Sequence, residues 1–136
     1  MIVVDVNVIA YLFIPGPFEA DARAAVRKDP EWVSPPLWRS EFRNVLALYL
    51  RIKELSLDEA LSAMKQAEHW MREGERAVAS AAVLSLAAAS PCTAYDCEYV
   101  ALAQEMGVGL VTCDKGILGA FPDVAMSLHN FAQFAD

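Results

Sequence analysis

The chain has 136 residues, 56% of them hydrophobic, with eleven Lys and Arg against eighteen Asp and Glu for a formal net charge of −7. That length points to one domain over 1–136 with a real core, folding being expected to hide roughly 68% of the unfolded surface, and the acidity argues against a broad phosphate-gripping face. No apolar stretch reaches the roughly 18 residues of a membrane span, and no basic cleavable leader precedes the first strand-like segment, so no membrane contact and a cytoplasmic location are expected.

Ile2-Val3-Val4 is continuous, β-branched and bounded by polar residues, which predicts a short buried strand. A helix follows over Val8 to Phe13 until Pro15-Gly16-Pro17 breaks it, and another runs from Phe18 to Lys28. Trp32-Val33 forms a brief strand, after which Ser34-Pro35 caps a helix running to about Ile52. Ser56-Leu57-Asp58-Glu59 fits a capping box and opens a helix ending near Gly74. Arg76-Ala77-Val78 is a candidate third strand, and Ser80 caps an alanine-rich helix that Pro91 stops. Thr93 to Asp96 begins the next helix, which Gly107 ends. Gly109 to Cys113 is then a strand, Gly116 to Leu118 a helical turn, Val124 to Met126 an edge strand, and Asn130 opens a terminal helix. Strands alternating with helices predict an α/β fold, a three-layer α/β/α sandwich around a mostly parallel sheet of four to five strands. Ligands of such sheets bind beyond the carboxyl ends of the strands. Cys92, Cys97 and Cys113 have neither a CxxC nor a Cys/His ligand spacing and are expected to remain thiols.

Four carboxylates occupy positions where a charge is costly. Asp5 closes the first strand and Asp114 follows the strand ending at Thr112, the same strand-then-acid pattern twice. Glu41 falls within the helical stripe Trp38, Glu41, Val45, Leu48 and Ile52, where an ionised group needs a cation or hydrogen bonds. Asp96 opens a helix on a face shared with Val100 and Ala103. Each acid has a plainer reading: Asp5 and Asp114 as helix caps, Glu41 as half of a buried ion pair, Asp96 as the reciprocal acid of a capping box with Thr93. Arg39 and Arg43 are expected to face solvent or a partner, and Glu98 groups with Glu105 on a solvated face. Convergent carboxylates raise one another's proton affinity unless a cation joins them, so a cluster of this kind implies bound metal. His69 and His129 stand alone, and the chain has no Gly-rich phosphate loop, Gly-x-Ser-x-Gly elbow or Cys/His pair for nucleophilic catalysis.

The blocks Ile2-Val3-Val4-Asp5-Val6-Asn7-Val8, Ser40-Glu41 with Asn44-Val45-Leu46, Ala94-Tyr95-Asp96 through Ala103, and Leu110-Val111-Thr112 with Asp114, in this order, resemble a PIN domain. They are most similar to the VapC-type toxins of bacterial VapBC pairs. Val6 departs from the family's usual Thr or Ala and leaves Asp5 and Asn7 in place. The resemblance implies an Mg²⁺- or Mn²⁺-dependent endoribonuclease, often dimeric and held inactive by a cognate VapB-type antitoxin. Asp5, Glu41, Asp96 and Asp114 would be the metal-binding and catalytic acids, and the products would carry 5′-phosphate and 3′-hydroxyl ends. Asn7 and Thr112 would orient ligands or water, and Lys115 is a candidate phosphate contact as well as an ordinary surface lysine. The apolar residues of the two long helices, among them Leu50, Leu57, Leu61 and Trp70, offer either core packing or a seat for an antitoxin helix or a second copy. Two competing readings are a catalytically silent binding protein and a haloacid-dehalogenase-type phosphatase. The latter wants a second Asp where Asn7 stands.

Overall fold

Residues 1–134 are described by a computed structural model. Its four strands are β1 (Ile2–Val4), β2 (Trp32–Val33), β3 (Leu110–Thr112) and β4 (Ala125–Ser127), joined in the order β2-β1-β3-β4 with every pairing parallel. Every residue of β1 and β3 is buried, which explains why both read as unbroken apolar runs rather than alternating ones. The helices are α1 (Val6–Phe13), α2 (Glu19–Lys28), α3 (Trp38–Arg51), α4 (Leu57–Trp70), α5 (Ser80–Ala88), α6 (Ala94–Met106), α7 (Lys115–Ala120) and α8 (Leu128–Gln133). They fall into two packed groups: α6 lies on β1 and β3 with α5 alongside it, while α1 contacts β3 and gathers α2, α3 and α4, and α8 joins α2 to β3 and β4. This is the expected α/β/α sandwich, with four strands.

Strand order decides where function can sit. The chain leaves β1 to build β2 on one side and returns to build β3 on the other, so the sheet has its switch point between β1 and β3. Val4 lies opposite Val111, and the Asp5 N–H donates to the Val111 carbonyl at 3.1 Å. The segments that follow both strands therefore leave from one edge.

Local chemistry explains the element ends. Ser56 and Glu59 make the complete capping box expected of them, and Gly107 ends α6 in the left-handed conformation, φ 66°, that glycine adopts without a Cβ clash. The candidate strand Arg76–Val78 does not form. Pairing stops at a single bridge between Ser34 and Glu75, with Ser34 N–H bonded to the Gly74 carbonyl and Arg76 N–H to the Ser34 carbonyl. The next rung of a parallel ladder would need an N–H from Pro36, which has none. Two prolines likewise delay α3 to Trp38, and α8 begins at Leu128, capped by the Ser127 hydroxyl, two residues before the expected start.

The buried residues of α3 are Trp38, Phe42 and Leu46; of the expected stripe Trp38, Glu41, Val45, Leu48 and Ile52, Trp38 is buried, Glu41 and Val45 are partly buried, and Leu48 and Ile52 are 54% and 57% exposed. In the neighbouring α4, Ala60, Ala63 and Ala67 are the buried residues, and Leu57 and Leu61 face outward. Arg39 also departs from expectation: its guanidinium bonds Glu75 at 2.6 and 3.0 Å and reaches Glu68, while Trp38 Nε1 donates to the same Glu75 at 3.0 Å. These contacts tie α3 and α4 to the segment after α4.

Gly74 marks where that segment crosses β2, since a Cβ there would stand 2.2 Å from the Trp32 carbonyl oxygen. Gly74→Ala is therefore expected to destabilise the chain by about 1–3 kcal/mol, as overpacking against backbone does. Thermal unfolding followed by circular dichroism would show a melting point lowered by several degrees; an unchanged one would contradict this packing.

Candidate active site

Asp5 leaves the end of β1 only 5% exposed and holds three hydrogen bonds. Its Oδ1 accepts from the Val6 N–H at 2.7 Å, so it does cap α1 as the plainer reading held. Its Oδ2 accepts from the Thr112 hydroxyl at 2.7 Å and from Asn7 Nδ2 at 3.4 Å. Thr112 is fully buried, and its hydroxyl oxygen in turn accepts from the Asp114 N–H at 3.0 Å. One hydroxyl thus links the carboxylate at the end of β1 to the backbone of the acid after β3. Asn7 adds a second tie across the same gap, its Oδ1 accepting from the Cys113 N–H at 3.3 Å. Behind the edge, the buried Ser34 hydroxyl satisfies the Val4 carbonyl at 2.6 Å.

Asp114 caps α7 through Oδ1, which accepts from the Ile117 N–H at 2.9 Å, and Lys115 follows it on the surface with no ion pair among the described residues. Asp96 stands in the first turn of α6. The Thr93 hydroxyl accepts from the Asp96 N–H at 3.1 Å, but the reciprocal bond of a capping box is missing, and the Asp96 carboxylate has no hydrogen-bond partner among the described residues. Glu41, half-buried in the first turn of α3, is held by Tyr99, whose hydroxyl donates to Oε1 at 2.6 Å. Tyr99 escaped the sequence reading. Its signal was its place three residues after Asp96 on the same helix face, with an O–H that a buried tyrosine must satisfy.

The charges of the acids are felt by one another. Burial pushes the Asp5 carboxyl up to about 6, and the charges of Asp96 and Asp114 push in the same direction against the bonds from Thr112 and Val6. Burial also raises Glu41, helped by Asp5, Asp96 and Glu98 and opposed by Tyr99. Glu98 is therefore a neighbour of the site rather than simply part of a solvated face with Glu105. None of Asp5, Glu41, Asp96 and Asp114 forms an ion pair with Lys or Arg among the described residues. That removes the buried-ion-pair reading of Glu41. The cluster is open, however: among the described residues, no three Asp, Glu, His or Cys side chains are grouped as a ready-made metal cage.

Comparison with known proteins identifies the family and the fold. The PIN domain family matches residues 2–124. The chain belongs to the PIN-domain family. Ribonuclease VapC3 of Pyrobaculum aerophilum is 31% identical over 125 residues, covering 89% of this chain and 95% of that protein. The crystal structure of PAE2754, also from Pyrobaculum aerophilum, superposes with a TM-score of 0.72 over 96% of this chain and 92% of its own; at 20% identity it bears on the PIN fold alone.

The raised Asp5 carboxyl makes a signed prediction. In EDTA, the native chain retains a proton that the unfolded chain has released between the ordinary carboxyl value of 3.8 and about 6. The Asp5 contribution is therefore fully present below about pH 4 and is lost as pH rises through about 6, a change on the order of 3 kcal/mol. Glu41 acts in the same sense. Urea midpoints between about pH 4 and pH 7 are expected to fall, with a shallower fall in Asp5→Asn; a steeper fall in that variant would contradict the assignment to Asp5.

Proposed function

We propose that this PIN-domain protein is a metal-dependent endoribonuclease, the toxin of a VapBC-type pair, and that Asp5, Glu41, Asp96 and Asp114 form its catalytic and metal-binding set. The observation that carries the reading is that acids from four separate elements feel one another's charge at the sheet's switch point, with none of them ion-paired to Lys or Arg among the described residues. The donor chemistry fits a hard divalent ion, Mg²⁺ or Mn²⁺, which takes carboxylate oxygens. Glu41 Oε2, Asp114 Oδ2 and both Asp96 oxygens are uncommitted by hydrogen bonds among the described residues. Bringing three of them onto one ion requires side-chain movement, since no three are grouped for it among the described residues.

Bound there, such an ion would supply positive charge to the phosphodiester and a more acidic water. The chain's own residues do the positioning. Thr112 and Asn7 fix the Asp5 carboxylate and hold the Asp114 segment beside it, while Tyr99 fixes Glu41 by one oxygen and leaves the other free. Lys115, next to Asp114 and exposed, is the candidate for a phosphate contact. The relative named Ribonuclease VapC3 supports RNA as substrate and a VapB-type antitoxin as partner. The exposed side chains Leu48, Ile52, Leu57 and Leu61 on α3, α4 and the turn between them suit that antitoxin or a second copy in a homodimer.

Purified chain incubated with mixed RNA and Mg²⁺ or Mn²⁺ is expected to cut it, leaving 5′-phosphate and 3′-hydroxyl ends. EDTA, Asp5→Ala or Asp96→Asn should each lower the rate by about a hundredfold or more, the loss typical of removing charge stabilisation at a reacting centre. Cleavage undiminished by EDTA and by Asp5→Ala would overturn the proposal, and no cleavage under any condition would favour a silent binding protein.

Ion binding has its own readout in melting temperature, because a ligand held only by the native chain stabilises it by about 2.7 kcal/mol at a hundred times its Kd. Tyr99→Phe, which leaves Glu41 unheld, is expected to weaken the ion about 10- to 100-fold, as loss of a group orienting a ligand does. Titration of the melting point with Mg²⁺ or Mn²⁺ measures it; identical curves for Tyr99→Phe and the parent would remove Tyr99 from the site.

A further inference from the structure

We propose that Arg39 and Glu75 form a clamp that fixes where Glu41 stands, making both of them positioning residues for the divalent ion of the acidic site. This rests on the ion-binding reading above and adds the residues that set how Glu41 lies relative to Asp5. Glu41 is in the first turn of α3, a helix end that no side chain caps. Leu37 holds the capping position after two prolines, and the opening bonds are tight turns, from the Trp38 N–H to the Pro35 carbonyl at 3.1 Å and from the Arg39 N–H to the Pro36 carbonyl at 3.2 Å. Helix ends of this kind fray unless something beyond the helix holds them.

What holds this one converges on Glu75. Its Oε2 accepts from Trp38 Nε1 at 3.0 Å and from Arg39 Nε at 2.6 Å, and its Oε1 accepts from Arg39 Nη2 at 3.0 Å, while Arg39 Nη1 reaches Glu68 of α4. A guanidinium bound by two prongs fixes direction as well as distance. It also lies 5.6 Å from the ring centre of Trp38, itself fully buried.

Two observations direct the clamp at the acids rather than at packing alone. Glu75 is tied to the sheet edge that carries Asp5: it bridges Ser34, whose N–H bonds the Gly74 carbonyl at 2.9 Å and whose hydroxyl bonds the Val4 carbonyl at 2.6 Å, one residue before Asp5. A continuous run of bonds therefore leads from the end of β1 through Ser34 and Glu75 to the turn bearing Glu41. The charge of Arg39, by contrast, is not among those felt at Glu41, which are Asp5, Asp96 and Glu98. Residues two apart in a helix do not face each other, so Arg39 acts on Glu41 by placing its backbone. Tyr99 then holds the Glu41 carboxylate from the other side. A small hard ion demands near-ideal ligand geometry, so a displaced first turn of α3 weakens it.

The test is titration of Mn²⁺ with the full chain, read by the electron paramagnetic resonance signal of the unbound ion. Glu75→Gln and Arg39→Lys, the second keeping the charge and losing the fork, are each expected to weaken Mn²⁺ roughly tenfold, as loss of a group behind a metal ligand does. The double variant should bind no more weakly than Glu75→Gln alone, because the two residues act as one device. Leu46→Ala removes buried packing from the same helix away from the clamp; it should lower the melting temperature and leave Mn²⁺ affinity unchanged. Folded variants that bind Mn²⁺ like the parent, additive losses in the double variant, or an equal loss in Leu46→Ala would overturn the proposal and leave the ion site standing. If Glu75→Gln does not fold, Arg39→Lys against Leu46→Ala decides between the same outcomes. A parent chain that takes up no Mn²⁺ would remove the ion site and this inference together.

Discussion

A carboxylate buried at the end of a parallel strand is the constraint on which the rest of this structure depends. Asp5 cannot be ionised there cheaply, and the surrounding chain compensates with a backbone N–H, an amide and a hydroxyl. Two of those donors belong to the segment that Asp5 itself opens, and the third comes from β3. The Thr112 hydroxyl is consequently both a satisfier of buried charge and a spacer that sets how β3 releases Asp114. The compensation is incomplete, since burial still raises the Asp5 carboxyl with help from Asp96 and Asp114. An unbalanced buried negative charge at a sheet's switch point carries a structural cost, which is what marks Asp5 as a candidate for function.

Much of this was legible in the sequence, and the parts that were share a physical reason. Short strands buried on both faces read as unbroken apolar runs, Ser56 and Thr93 read as the caps they are while Ser34 and Ser80 do not cap, and the paired strand-then-acid pattern placed Asp5 and Asp114 on one edge once the sheet was taken as parallel. What failed depended on partners remote in the chain. The stripe of α3 was misassigned beyond Trp38: Phe42 and Leu46 are buried and Leu48 and Ile52 face out, and the neighbouring α4 buries alanines. The strand expected at Arg76–Val78 was blocked by a proline some forty positions earlier. Arg39 was assigned to solvent because its acceptors Glu68 and Glu75 lie outside its own helix.

The same distinction separates the acids from the residues that orient them. Carboxylates in apolar settings are conspicuous, because their cost shows in the local pattern. Tyr99 was inconspicuous, because a tyrosine in an apolar stripe is ordinary until its hydroxyl is found 58 positions away on Glu41. Glu98 was set aside for its spacing to Glu105, yet its charge is felt at Glu41. Side chains that supply charge can be read from one chain; those that steer it need the tertiary contact.

The bond from Thr112 to Asp5 spans 107 positions, and the β1–β3 pairing that makes it possible needs nearly the whole polypeptide. A chain emerging from the ribosome holds Asp5 and Glu41 long before Asp96 and Asp114 exist beside them. The four acids are therefore together only once β3 and Asp114 have been made, and a product stalled earlier carries the opening strand and helices without the full set. On the proposed ribonuclease reading, this chain order withholds activity until most of the chain has been synthesised.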